Sequence, residues 1–560
     1  MFYPIFLSNS VIIPFAVHPF DICKNYPTQW FWIKIASVAV NIIADIIISN
    51  SIYSFLIYKV SNRKKKKTKN KKQETMIIKS DLNLFIGLDE NDNKVFIPEK
   101  GMYQNILVTG TIGSGKTSSC MYPFTEQLIK YKAGSPSDKI GMLLLDVKGN
   151  YYRKVLEYAK KHGRTDDVIV IEIGGKYKYN PLHKPNLKPT VIANRLKTVL
   201  TLFSPNNSES YWLDKAEATI CECIKICRLY NKGYVNFTEI HNLINNSTYY
   251  MEKIEFLREE FRKGKLDNTD VYNLMTSLNF FEKEFNSLDA RTASILKSEI
   301  SRITSTFISD YDVLNTFCPE EKDLNFHGFE ELISKGKIVV LNMNISEYNN
   351  LSKIIAAYLK LDFQAEVMFN LSSGKYSRTT AFVSDEFHEY ITNTDADFFA
   401  QSREAKCINI VATQSYTSFL KTLKEESAVN VIIQNLINKL WFRTDDIFTI
   451  EKIQKQIGKE EKIKTSNSLS ENAKETNYNY LLNNLSSMNS SLSESINTYT
   501  QSDFVYDTNF FTQELETFFC LSFLSDGLKI LPPQKLSLIP YFKSNEKVDI
   551  DTKKSKYKII

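Results

Sequence analysis

Cysteine is present in this chain but never in a pattern that does chemistry. The eight cysteines among 560 residues are Cys23, Cys120, Cys221, Cys223, Cys227, Cys318, Cys407 and Cys520. They form no CxxC pair and no Cys/His spacing of a zinc site, which excludes a metal-finger scaffold. Unpaired thiols of this kind fit a reducing compartment for the body of the chain. Cys221, Cys223 and Cys227 fall in one helical segment, where small-residue core packing accounts for them. The body also lacks an excess of positive charge. The net charge is +6, and the run Arg63, Lys64, Lys65, Lys66, Lys67, Lys69, Lys71, Lys72 carries +8, which leaves 6 − 8 = −2 for the rest. Bulk attraction to nucleic acid is therefore excluded, and any DNA contact must come from local patches. Finally, the N-terminus has no basic leader region and no clear small-residue cleavage site, which argues against a cleaved signal peptide.

Long apolar runs are scarce too, and the clearest is near the start. Residues 35–58 are mostly apolar and lie between Lys34 and Lys59. About 20 such residues span a bilayer core. Trp30, Phe31 and Trp32 precede the run and Tyr58 closes it, as interfacial aromatics do. The basic run follows directly, which predicts a cytoplasmic location for everything after it. Residues 1–17 are a weaker apolar stretch broken by Pro4 and Pro14. The expectation is a two-helix hairpin with Asp21 and Lys24 in a short external loop; one span with an interfacial N-terminal segment is the alternative. Asp45, mid-span, would cost roughly 2.5–3.5 kcal/mol on insertion scales unless it faces a partner helix or water.

The chemistry-bearing signal begins after the short apolar run Ile106, Leu107, Val108. Gly110, Thr111, Ile112, Gly113, Ser114, Gly115, Lys116 and Thr117 form a complete GxxxxGK[ST] loop, residues 117–131 follow with helical composition, and Ser118 joins the loop residues as a candidate nucleotide contact. The glycines let backbone N–H groups converge on phosphate oxygens. The helix offers its positive end to the anion. Lys116 is expected on the β/γ phosphates and Thr117 on Mg²⁺. Such a loop needs an acid at the end of another strand. Thr380–Ser384 followed by Asp385 and Glu386 supplies it, with Asp385 for the metal and Glu386 to polarise the attacking water. A third strand, Ile408–Ala412, ends in Thr413, Gln414 and Ser415. Ligands sit beyond the carboxyl ends of such strands, so Gln414 is a candidate contact to the γ-phosphate or the water. Arg403 lies between the last two strands. A cation can stabilise a transferring phosphoryl group, although by itself Arg403 reads more simply as a surface charge.

The remaining pattern alternates strands and helices. Strands are expected near 105–109, 141–146, 167–173, 337–344, 380–385, 407–413, 439–444 and 518–523, in a mostly parallel sheet covered on both faces. Residues 213–331 break the alternation with helical periodicity, as in 213–230 and 290–307. Residues 463–502 are rich in Ser and Asn and read as a flexible low-complexity loop. A β-rich closing segment follows, punctuated by Pro532, Pro533 and Pro540, and the lysine-bearing tail reads as disordered.

Several segments together resemble the TraG/TraD-type coupling proteins of conjugative and type IV secretion systems. They are Leu144 to Gly149 with Asp146 and Lys148, Tyr179-Asn180-Pro181-Leu182, Pro123 after the loop, Tyr211-Trp212 with Ala216, and Lys335-Gly336-Lys337 before Ile338–Leu341. Asp385-Glu386, Arg403, Thr413-Gln414-Ser415, and Asn438-Lys439 with Phe442-Arg443 complete the order. One departure is Gln104, where many members have histidine. The resemblance covers most of residues 80–450 and the membrane hairpin. It implies a RecA-like P-loop motor domain (76–212 and 332–560) with an all-α domain (213–331), a transmembrane region (1–60) and a basic linker (61–75). It implies ATP and Mg²⁺ as cofactors, a homo-hexamer with nucleotide at subunit interfaces, and Arg403 as a finger acting in trans. It also implies a multi-pass membrane protein whose motor is cytoplasmic. Its partners would be single-stranded DNA with a relaxase complex and the components of a type IV secretion channel. Two other functions remain open at this point: an ATP-dependent docking receptor for protein cargo, and an FtsK-like DNA pump.

Overall fold

The computed structural model describes residues 31, 32, 35, 81–146, 148–203, 210–472 and 491–543. The chain divides into two units, Met1–Lys79 and Ser80–Ile560, and the second carries everything below. Apart from residues 31, 32 and 35, the expected membrane hairpin falls outside the described residues, as do the basic run and the lysine-bearing tail from 544 onward. Among those described, no helix is long and apolar enough to cross a membrane.

Eleven strands form one sheet. In chain order they are β1 (Asn83–Leu88), β2 (Lys94–Pro98), β3 (Ile106–Thr109), β4 (Gly141–Leu145), β5 (Val168–Ile171), β6 (Ile338–Leu341), β7 (Thr380–Ser384), β8 (Cys407–Thr413) and β9 (Asn438–Trp441), then, past a separate ribbon, β12 (Phe519–Phe523) and β13 (Gln534–Ser537). The ribbon is β10 (Lys459–Asn472) with β11 (Ser491–Phe504). The order across the sheet is β2-β1-β13-β12-β9-β3-β8-β7-β4-β6-β5. The seven strands from β9 to β5 are parallel; the other four pair antiparallel. All eight expected strands are present, within a few residues at their ends.

Side-chain alternation explains why the centre is buried on both faces. Ile106 and Val108 pack into one apolar cluster and Leu107 into the other. The same holds for Met142 and Leu144 against Leu143, and for Ala381 and Val383 against Phe382. Between β5 and β6 the described residues are helical apart from loops and an isolated bridge between Tyr179 and Phe326. Ser210–Tyr230 buries Cys223 and Cys227 along one face, in keeping with the packing role expected of its cysteines. Ala290–Ile308 starts on the Asp289 cap and buries Ile300, Ile303 and Phe307.

Two strands, β1 and β2, were not legible in the sequence, and β13 falls within the β-rich closing segment without having been placed individually. Within the 463–502 stretch, expected as a flexible loop, residues 463–472 and 491–502 are strand, and 473–490 lie outside the described residues. Lys459–Asn472 pairs antiparallel with Ser491–Phe504 in continuous register, a ribbon roughly 45–48 Å long at strand rise. A composition-based reading counts the apolar burial that Ser and Asn cannot supply. A ribbon instead satisfies its backbone groups by pairing with itself. Lys464 adds a cross-strand ion pair to Asp503 at 2.9 Å.

The segment that leaves the site is anchored by a buried charge. Lys360, in the helix Asn350–Ser373, and Asp395 are both fully buried and 2.5 Å apart. Lys360 also donates to the Tyr390 carbonyl and the Thr392 hydroxyl. Asp395→Ala would leave that ammonium buried without its counter-charge, so a loss of about 3–5 kcal/mol is expected, measurable as a lowered denaturant midpoint of the full chain.

Candidate active site

The parallel strands all end at one edge, and the candidate residues hang from that edge. β3 runs into the phosphate-binding loop, β7 into Asp385 and Glu386, β8 into Gln414, and β4 into Asp146. β3 lies between β9 and β8, so the loop emerges in the middle of the sheet. Gly113 (φ 78) and Gly115 (φ 98) take positive-φ conformations that turn successive backbone groups inward. A Cβ on Gly115 would come within 2.6 Å of the Phe518 ring, so the loop is packed tightly from behind. Thr111 N–H donates to the Arg443 carbonyl at 2.9 Å and Ser114 Oγ to the Thr111 carbonyl at 2.8 Å. Ser118 Oγ donates to the Gly115 carbonyl at 3.1 Å. Ile112 stands exposed at the tip.

Lys116 is buried beneath this loop and donates to the carbonyls of Gly110 (2.5 Å) and Thr111 (3.1 Å). Burial draws its pKa down, against the raising pull of Glu386 and Asp385. Thr117 Oγ1 donates to Asp385 Oδ2 at 2.8 Å, joining residues 268 positions apart. Asp385 itself is held by its N–H to the Leu145 carbonyl at 3.1 Å. Glu386 adopts left-handed backbone geometry (φ 49, ψ 44), which is strained for a residue with a Cβ and found chiefly where function requires it. Its Oε2 accepts from Gln414 Nε2 at 3.2 Å and lies 3.6 Å from His388 Nδ1. Its Oε1 accepts from Lys148 Nζ at 2.5 Å. Burial alone would raise the Glu386 carboxyl, but the Lys148 hydrogen bond and charge, together with the charges of His388 and Lys116, more than offset it and hold it below its usual value.

The loop, Thr117, Asp385, Glu386 and Gln414 are therefore together. Arg403 is not among them. It is exposed in the turn before β8, where Nη2 donates to the Gly527 carbonyl at 3.4 Å. β8 separates it from the loop edge by roughly 23 Å at strand rise. Gln104, before β3, donates to the same carbonyl at 3.5 Å. A contact between Arg403 and this chain's own loop is excluded.

Sequence reasoning missed the roles of Lys148, Asp146 and His388. Lys148 was visible only as part of a strand-end motif; nothing in its spacing reveals that it reaches Glu386 from the end of the neighbouring strand β4. Asp146 accepts from the Lys148 N–H at 3.0 Å. Burial, then the nearby Asp385 charge, pushes its pKa up to about 6. No group of three or more His, Cys, Asp or Glu side chains able to hold a metal occurs among the described residues. Metal binding here would rest on the hydroxyl of Thr117 and the Asp385 carboxylate, which fit Mg²⁺: it takes few protein oxygens and keeps its waters and substrate phosphates.

The fold and this loop define the class: a P-loop α/β protein with a large, mostly parallel sheet. Residues 379–502 match the family described as the TraM recognition site of TraD and TraG. No curated protein matches the sequence. Among solved structures, the bacterial conjugative coupling protein TrwBdeltaN70 in its unbound monoclinic form is similar with a TM-score of 0.51, 12% identity, and coverage of 79% of this chain and 86% of that one. The plasmid coupling protein TrwB in complex with ADP and Mg²⁺ is similar at 0.53, with 12% identity and coverage of 79% and 87%. TrwB in complex with the non-hydrolysable GTP analogue GDPNP gives the same figures. At this identity the structures establish a shared fold. With the family match, the resemblance to TraG/TraD-type coupling proteins holds.

The Lys148–Glu386 pair has a pH signature. Because the folded carboxyl is held below its ordinary 4.5, its contribution is fully present above that value and is lost as pH falls through the folded pKa. Wild-type protein should therefore melt higher than Lys148→Met at pH 7. The gap should close as the pH is lowered below about 4.5, which thermal melts of both proteins across that range would check.

Proposed function

We propose that this chain is a membrane-anchored ATPase coupling protein that recruits a relaxase–DNA complex and helps move single-stranded DNA into a type IV secretion channel. The observation that carries the reading is the 2.8 Å contact of Thr117 with Asp385 beside the loop of Gly110 to Ser118. It joins the two groups that would share Mg²⁺ while the loop amides and Lys116 hold the ATP phosphates. The bound Mg²⁺ supplies charge neutralisation at the phosphoryl group. Glu386 orients and deprotonates the water, and Gln414, bonded to Glu386, senses the same position. Lys148 keeps Glu386 ionised and sets its orientation.

The position of Arg403 at the opposite edge supports a role only toward a neighbouring copy, as in a homo-hexamer with nucleotide between subunits. The helical segment 213–331 is proposed as a separate all-α domain within a RecA-like motor formed by 76–212 and 332–560. The apolar run 35–58 and the basic run after it support a membrane region within 1–60, with the motor on the cytoplasmic side through the linker 61–75. TrwB's reported complexes with ADP and Mg²⁺ and with an ATP analogue support the choice of nucleotide.

ATP hydrolysis by the full chain should rise on adding single-stranded DNA. Lys116→Ala should abolish it, and Glu386→Gln should slow it by about 10²–10⁴-fold, the usual worth of a general base. If Glu386→Gln still supports DNA transfer between cells at the wild-type rate, the motor reading fails and a docking receptor takes its place. For Arg403, mixing inactive Lys116→Ala with inactive Arg403→Ala protein should restore part of the activity, because mixed rings contain some intact interfaces. An absence of recovery in assembled mixtures rules out action in trans.

A further inference from the structure

A second cavity lies away from the phosphate-binding loop, on the sheet face carried by Trp441. It occupies about 340 Å³ between β9, the end of β12, and the helices Glu426–Asn435 and Ile447–Ile457. That is about ten water volumes, at the lower end of the range for small-molecule sites. Its floor is Lys439, only 2% exposed. Among the described residues Lys439 has no hydrogen-bond acceptor and no counter-carboxylate. Its Nζ stands 5.9 Å from the centroid of the Phe523 ring. Burial alone lowers its pKa to about 8, so near neutrality it still carries its charge.

A buried, unpaired ammonium is costly, and an apolar side chain of similar size would be more stable there. The rest of the lining indicates what would offset the cost. The Tyr416 hydroxyl accepts from Trp441 Nε1 at 2.8 Å, which leaves its own proton to donate. Ile433, Ile437 and Ile530 supply apolar wall, and no lining residue is acidic. Lys452 at the rim already pairs with Glu426 at 2.5 Å, so Lys439 is the lining cation whose charge is unspoken for. Asn430, Gln434 and Ile530 are exposed and open the cavity to solvent.

We propose that this cavity is a binding site for a small amphiphilic anion, with a carboxylate or phosphate-ester head on Lys439 and Tyr416 and a short apolar body against the isoleucines and Phe523. The site is separate from the phosphate-binding loop and does not rest on the nucleotide reading.

Competitive acetylation of the full chain, followed by mass spectrometry at the peptide holding Lys439, tests this without any variant. Hexanoate and hexyl phosphate are the two head-group probes; hexanol and inorganic phosphate are controls for body and head alone. A bound anion favours the protonated, unreactive amine, so at least one of the two probes should slow Lys439 acetylation about tenfold near pH 9. Exposed Lys406 should be unaffected. Saturation-transfer NMR should show the same probe bound to wild type and not to Lys439→Met, whose circular dichroism stays native. Equal protection by hexanol, equal protection by inorganic phosphate, or no protection by either probe overturns the proposal.

Discussion

Strands that pair in parallel must end at the same edge, and the candidate site is a consequence of that constraint. β3, β7, β8 and β4 all deliver polar groups beyond their carboxyl ends. The Thr117–Asp385 hydrogen bond closes the arrangement across 268 residues. The apolar clusters on the two faces of the sheet keep the strands in register, and register keeps those groups within reach of one another. A shift of one residue in β7 would turn Asp385 from the loop toward a core face.

Charge balance then shapes the site. Asp146, Asp385 and Glu386 are all buried, and the lysines nearby are Lys116 and Lys148. Three carboxylates stand against two ammonium groups, and the raised pKa of Asp146 comes first from its burial and then from the neighbouring Asp385 charge. A divalent cation arriving with a polyphosphate suits such a site, since each offsets the other's charge. Glu386 sits where these forces meet: backbone strain, Lys148 on one oxygen, and Gln414 with His388 beside the other. The same low-dielectric reasoning makes Lys439 conspicuous, because there the compensating charge is missing.

Much of the central sheet was legible because buried parallel strands leave short apolar runs with sharp boundaries, as in Gly141–Leu145 and Thr380–Ser384. The loop glycines were legible because only glycine accepts the φ that Gly113 and Gly115 adopt without cost. The antiparallel strands β1 and β2 escaped notice. They lie at or near the sheet edge, where mixed composition is tolerated. The ribbon of β10 and β11 escaped because self-pairing of Ser- and Asn-rich chain leaves no hydrophobic signature.

The sequence by itself determined the local chemistry: a phosphate-binding loop, an acid pair after a strand, and the alternation that builds a parallel sheet. These are short-range properties, set by backbone sterics and hydrophobic period within a few residues. Only the tertiary structure decided the partners. It brought Asp385 to Thr117 and Lys148 to Glu386, carried Arg403 to the opposite edge, and enclosed Lys439 beside a cavity. Strand order and helix placement set those relations, and both come from packing between segments hundreds of residues apart, which no local pattern encodes.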